Sequence, residues 1–275
     1  MDGVSNNPPR LPAANNVAPP PAAEAIHWPP TGPIKDVMEL ACTAAARQQL
    51  AKPAPGAPVA FPTKFFSVDP PAAAFQAGMT IDADGAPAAY GLDPADSLDD
   101  LPNAGRPCNW WGVVTDSGKA DGTPVLNGDG RHLVSTTALE DQTQDPKAQA
   151  RYVDSSRVPF IVLPPSVAAS TGAKLGDMVM VYNQRNGRMS PAIYADVGPA
   201  NHLGEGSIAL AEALGINSDA RKGGVDGGLV YVVFPGSGNR KPRNLADIAA
   251  IGNLLFAKGG GAARVQALFP RAVEN

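Results

Sequence analysis

Asp196 and Glu205 share one short segment, SPAIYADVGPANHLGEGSIALAEALGI, running from Ser190 to Ile216. Two carboxyl groups of different character are what cleavage of a glycosidic bond uses. One is protonated and gives its proton to the leaving oxygen; the other is ionised and activates water or attacks the sugar. Asp196 sits among Ile193, Tyr194 and Val197, where loss of solvent raises a carboxyl pKa, whereas Glu205 precedes a helix start whose dipole favours the ionised form. That contrast assigns Asp196 as general acid and Glu205 as the base of a water. For inversion of configuration the carboxyl groups are then roughly 6.5 to 9.5 Å apart. The same residues also admit a scaffold role, with Asp196 supporting the Val197-Gly198-Pro199 turn and Glu205 the helix that follows.

Other side chains add to this pair. Asn109-Trp110-Trp111-Gly112 puts two aromatic rings in succession at a strand start, so that one faces the core and the other faces solvent or a groove, where it would stack on a sugar. His202 lies between the two acids and is placed to tune them. Asp82, Asp84, Asp154 and Asp226, with Asp177, supply the negative potential that a polycationic substrate calls for. The run Asp82-Ala83-Asp84-Gly85 begins like a calcium loop, but Ala86 and Pro87 stand where a ligand and the turn glycine are required and Asp93 replaces the bidentate glutamate. The three histidines, His27, His132 and His202, are too far apart for a helical zinc motif, and Gly236-Ser237-Gly238 is not a nucleophile elbow. No metal and no cofactor is expected.

The elements that position these groups follow from pattern. Short apolar or alternating runs at residues 79–81, 111–115, 132–136, 159–163, 178–182, 192–195 and 229–234 read as strands. They are punctuated by turns at Asp84-Gly85, Asp121-Gly122, Asn127-Gly128, Asn186-Gly187 and Gly227-Gly228, the rhythm of a barrel or sandwich. Ser207 is an N-cap and Gly215 a C′ residue for a helix between them. A second helix runs from a cap at Asn244 to Lys258, ended by Gly259-Gly260-Gly261. Residues 1–60, rich in Pro, Ala and Asn, read as a tail or linker with a short docking helix within 34–50; residues 61–275 read as the catalytic domain. The fold class is therefore mainly β, a small barrel with peripheral helices.

The 275 residues include 29 prolines and 29 glycines, with only 17% charged residues and a net charge of −4. Lysines and arginines are scattered, which argues against a nucleic-acid partner, and no apolar run suffices for a membrane span. The start MDGVSNNPPR has no basic n-region and apolar h-region, so no Sec signal is visible. Cys42 and Cys108 form no metal motif; they pair or remain as two free thiols.

Several stretches together resemble the glycoside hydrolase family 75 chitosanases, most of all their bacterial branch. They are Met79 to Gly85, Asn103-Ala104-Gly105, Asn109 to Val114, Val134 to Leu139, Tyr152 to Pro164, Asp196 to Gly215 and Val232 to Gly238. In order they cover roughly residues 65 to 240. The resemblance implies an extracellular, monomeric endo-enzyme that hydrolyses β-1,4 bonds of chitosan with inversion, and its catalytic Asp and Glu fall on Asp196, in Asp-x-Gly-Pro, and Glu205, in Gly-Glu-x-Ser. Fungal members have a different loop between the two acids. A looser similarity, over Leu175-Gly176-Asp177 to Gly215, is to the six-stranded double-psi β-barrels of RlpA-like and expansin-like domains. It implies that Asp196 stands at a barrel rim, and it adds two alternatives: a peptidoglycan-cleaving hydrolase or lytic transglycosylase, such as an exported bacterial toxin, and a non-catalytic polysaccharide-binding module.

Overall fold

The computed structural model describes residues 27–49, 61, 63–66 and 71–270. Strands are β1 (Lys64–Phe66), β2 (Ala72–Asp82), β3 (Gly105–Arg106), β4 (Asn109–Trp110), β5 (Phe160–Leu163), β6 (Met178–Asn183), β7 (Met189–Val197), β8 (Glu205–Ser207) and β9 (Val225–Phe234). Helices are α1 (Ala44–Gln49), α2 (Pro165–Thr171), α3 (Ile208–Leu214), α4 (Leu245–Lys258) and α5 (Gly261–Leu268). Six strands close into a barrel in the order β2, β8, β5, β7, β6, β9, with β9 returning to pair with β2, while β1 flanks β2. The β2–β8 and β5–β7 pairs are parallel; the other barrel pairs are antiparallel.

Closure removes the edges of the sheet and buries both faces of its wall. Strand β6, MVMVYN, shows this directly: all six residues are buried, and alternate side chains join opposite apolar clusters. Met178, Met180 and Tyr182 pack with Ile193, Val232 and the buried stripe Ile248 and Phe256 of α4. Val179 and Val181 pack with Ile161, Tyr194 and Leu210 of α3. Gly252 lets α4 lie close on β7, since a Cβ there would be 2.7 Å from that of Pro191.

The helix signals hold. Ser207 Oγ accepts the Leu210 amide at 3.1 Å, Gly215 ends α3 at φ 67°, and Asn244 Oδ1 accepts the Asp247 amide at 2.8 Å. Two expected strands do not form. Residues 111–115 and 132–136 make only isolated bridges, such as Val113 with Ser135 and Leu126 with Leu133, because turns interrupt them before a ladder can extend. They belong to the long excursion between β2 and β5, which has its own apolar cluster around Tyr90, Leu101, Ala104, Trp110 and Leu133.

Residues 27–49 lie across that cluster. Ile34 and Leu40 are buried in it, Trp28 meets Trp110 edge-on at 5.7 Å, and Cys42 is disulfide-bonded to Cys108. The helix expected within 34–50 is not continuous. A 3-10 turn at Val37–Leu40, capped by Asp36, is separated from α1 by the residues around the disulfide. Residues 1–26 and 50–60, the remainder of the expected tail, lie outside the described residues.

Candidate active site

Strand register brings the two acids into one row. Val162 of β5 is opposite Asp196 of β7 on one side and opposite Glu205 of β8 on the other; Glu205 is in turn opposite Thr80 of β2. Residues opposed in a sheet point to the same face. The row Thr80, Glu205, Val162, Asp196 therefore lines one face, away from Met79, Ile81 and Ile161. With neighbouring strands about 4.8 Å apart, the backbones of the two acids stand roughly 9.6 Å apart across β5. A register shift at Ile161 and Val162 turns Asp196 onto this face at the end of β7.

The two carboxyl groups are held differently. Asp196 Oδ1 accepts the amides of Ala138 at 3.0 Å and Val197 at 2.7 Å. Glu205 has no hydrogen-bond donor among the described residues; its Oε2 lies by Gly198, where a Cβ would meet it at 3.2 Å and Val162 Cγ1 at 2.9 Å. Burial pushes both pKa values up, Asp196 to about 7 and Glu205 to about 8. The amides on Asp196 oppose its rise, while Asp82 and Asp99 add to that of Glu205. The expectation that the helix start keeps Glu205 ionised is thus overturned. Glu205 belongs to a strand rather than to the first turn of α3, and desolvation with like charges outweighs the dipole.

The other candidates separate. Asp82, only 7% exposed, accepts the Asp84 amide at 2.7 Å, and burial with the charge of Asp196 lifts it to about 8. Asp84 accepts the Tyr90 hydroxyl at 2.6 Å; burial and the charges of Asp82, Asp196 and Glu205 also raise it. Four acids therefore share one low-dielectric neighbourhood. His202 Nε2 lies 3.0 Å from Thr80 Oγ1, next to Glu205 in the row. Trp111 is 58% exposed, its indole N–H donating to Asn103 O at 2.7 Å. The following Gly112 sits against Asp84, a Cβ there being 3.4 Å from Oδ1.

Trp110, by contrast, is 4% exposed and belongs to the core, so it offers no face to a sugar. Asp177 is buried and accepts the amides of Lys174, Gly236 and Gly238, which makes it a loop anchor rather than part of an acidic groove. Asp154 lines a separate cavity of about 710 Å³ with Arg157 and Arg243. Asp226 is exposed near the start of β9 and is not among the charges acting on the four acids.

Sequence reasoning missed Tyr90, Asp99 and Asn103. Asn103 Nδ2 donates to both oxygens of Asp99 at 3.0 Å, and the Tyr90 hydroxyl lies 3.5 Å from Asp99 and 2.6 Å from Asp84. A hydrogen-bonded chain thus runs from the residue that fixes Trp111 to the buried acids. Among the described residues no group of His, Cys, Asp or Glu is arranged to hold a metal ion, and no helix is long and apolar enough to cross a membrane.

A family model described as the fungal chitosanase of glycosyl hydrolase group 75 matches residues 111–258, more than half of the chain. No curated protein matches it.

Proposed function

The chain belongs to the group 75 chitosanases, glycosidases that hydrolyse chitosan, and from that premise we propose that it cleaves β-1,4 bonds within the polymer, with inversion, using Asp196 and Glu205. The observation that carries this reading is the row in which both acids flank Val162 from neighbouring strands. Their backbone spacing of roughly 9.6 Å suits the carboxyl separation of about 6.5 to 9.5 Å that leaves room for a water.

The surroundings favour the roles in the opposite order to the local sequence. Glu205, desolvated and without a donor among the described residues, carries the proton and gives it to the glycosidic oxygen. Asp196, whose Oδ1 is stabilised by two amides, is the carboxylate; its Oδ2 takes a proton from the water that attacks the anomeric carbon. Trp111 stacks on a sugar ring, and His202 orders the loop beside Glu205. Both acids come from one chain, which suits a monomer. The Cys42–Cys108 bridge suits an oxidising, extracellular setting.

The test compares the protein with its Asp196→Asn and Glu205→Gln forms on chitosan, with products identified by mass and the first-formed anomer read by proton NMR. Loss of at least a thousandfold in both variants, with α-anomer as initial product, is expected. β-Anomer, anhydro-sugar ends or full activity of either variant would overturn the reading.

A further inference from the structure

Among the charges around Glu205, one has no evident work of its own. Asp84 is bonded by the Tyr90 hydroxyl, and Asp99 by the Asn103 side chain and the Asp100 amide. Asp196 is held by two amides, Tyr231 donates its hydroxyl to Gly78 O, and His202 is engaged with Thr80. Asp82 is more deeply buried than either proposed catalytic acid, yet it receives a single amide on Oδ1 and no donor on Oδ2 among the described residues. An acid so placed costs stability when ionised, because water has been removed without replacement by donors.

Its position relative to Glu205 is fixed. In the parallel β2–β8 pair Thr80 is opposite Glu205 and Asp82 opposite Ser207. Asp82 therefore shares a face with Thr80 and Glu205, one diagonal step away, at roughly 8 Å between Cα atoms from a strand spacing of about 4.8 Å and a rise of about 3.3 Å per residue. The end of β2 is locked there, since Ser155 Oγ donates to the Asp82 carbonyl and accepts the Ile208 amide at the start of α3.

Resting on the catalytic reading above, we propose that Asp82 is a positioning residue that acts through Glu205: a second buried carboxyl that keeps the proton on Glu205 until the leaving oxygen takes it. A like charge within this low-dielectric group makes loss of the second proton costly, so the two acids hold protons as a pair. Asp82 need not touch the scissile bond to do this. The facing groups that enter the same balance are Asp84 and Asp99 from the excursion, Asp196 on β7, Tyr231 on β9 and His202 in the loop before β8.

The experiment is the pH profile of kcat/KM on chitosan for the wild type, Asp82→Asn, Asp196→Asn and Glu205→Gln. Asparagine keeps the acceptor for the Asp84 amide and removes the charge. The expected result is that the alkaline limb of Asp82→Asn moves toward lower pH by about one unit, so that activity falls about tenfold on the alkaline side and much less on the acid side. A uniform loss with an unmoved limb marks a structural role and overturns the proposal. Should Asp82→Asn fail to fold, carbon-13 carboxyl titration of the wild type decides: coupled inflections at Asp82 and Glu205 support the proposal, and a single ordinary step at Glu205 overturns it. Activity retained in Glu205→Gln would instead remove the catalytic reading itself, so the two failures are distinct.

Discussion

Glu205 touches the position of Gly198: a Cβ added at residue 198 would lie 3.2 Å from its Oε2. The same atom would press on Val162 Cγ1 at 2.9 Å, the side chain that separates the two acids. The glycine that follows the Asp196 strand therefore leaves room for the carboxyl at the start of the next one. Gly198→Ala is expected to displace Glu205 and lower kcat by about tenfold or more, with a stability loss of about 1 to 3 kcal/mol from the added methyl. Steady-state kinetics beside a urea melt checks this; unchanged kcat removes the claimed contact.

Trp111 is fixed by one hydrogen bond at its edge and is otherwise open. Trp111→Ala is expected to raise KM for chitosan oligomers about tenfold, equivalent to about 1.4 kcal/mol of lost binding, while kcat and the melting temperature stay close to wild type. Trp111→Phe should recover part of the affinity, because a ring face remains. Equal KM in all three proteins would exclude the ring from substrate binding.

Stability should fall as pH rises from about 5 to 8. Burial holds Asp82 and Glu205 up at about 8 and Asp196 at about 7 in the fold, against ordinary values of 3.8, 4.5 and 3.8. The folded protein thus keeps protons that the unfolded chain has already lost, and folding is favoured most at low pH within this window. Urea midpoints at pH 5, 6.5 and 8 should decline for the wild type and decline less for Glu205→Gln. A flat or rising series would contradict the burial of these groups.

The disulfide closes a loop with 66 residues of sequence separation. On the chain-entropy estimate this contributes about 4 kcal/mol by restricting the unfolded chain. The Cys42→Ser, Cys108→Ser double variant is expected to lose stability of that order, together with protection from proteolysis near Trp28 and Leu40. Limited proteolysis with mapped cleavage sites measures it, and an unaltered pattern would show that packing alone holds the segment.

What was legible in the sequence was local. Ser207 and Gly215 mark the ends of α3 because a cap hydroxyl and a left-handed residue act within a turn, and the run ending at Asp196 reads as a strand because each residue carries the pattern itself. β8 carries no such pattern. Glu205, Gly206 and Ser207 become a strand only by pairing with β2 and β5, which are distant in the chain, so Glu205 resembled a residue at a helix start. The Tyr90, Asp99 and Asn103 network lies in an excursion whose elements are a few residues long, such as the 3-10 turn Leu101–Ala104, and so leave no periodic trace. Trp110 and Trp111 were distinguishable as one inward and one outward ring, but only packing against Trp28 decides which is which.

The barrel order separates the placement of the acids from the length of chain between them. Asp196 and Glu205 are each fixed by pairing with β5, and beyond Gly198, which makes room for Glu205, and His202, which meets Thr80, the residues between them connect the two strand ends. A change of length within that connection would alter the shape presented to the polymer while the spacing of the two acids stays woven into the wall. Substrate preference and bond-breaking geometry are thereby free to evolve at different speeds.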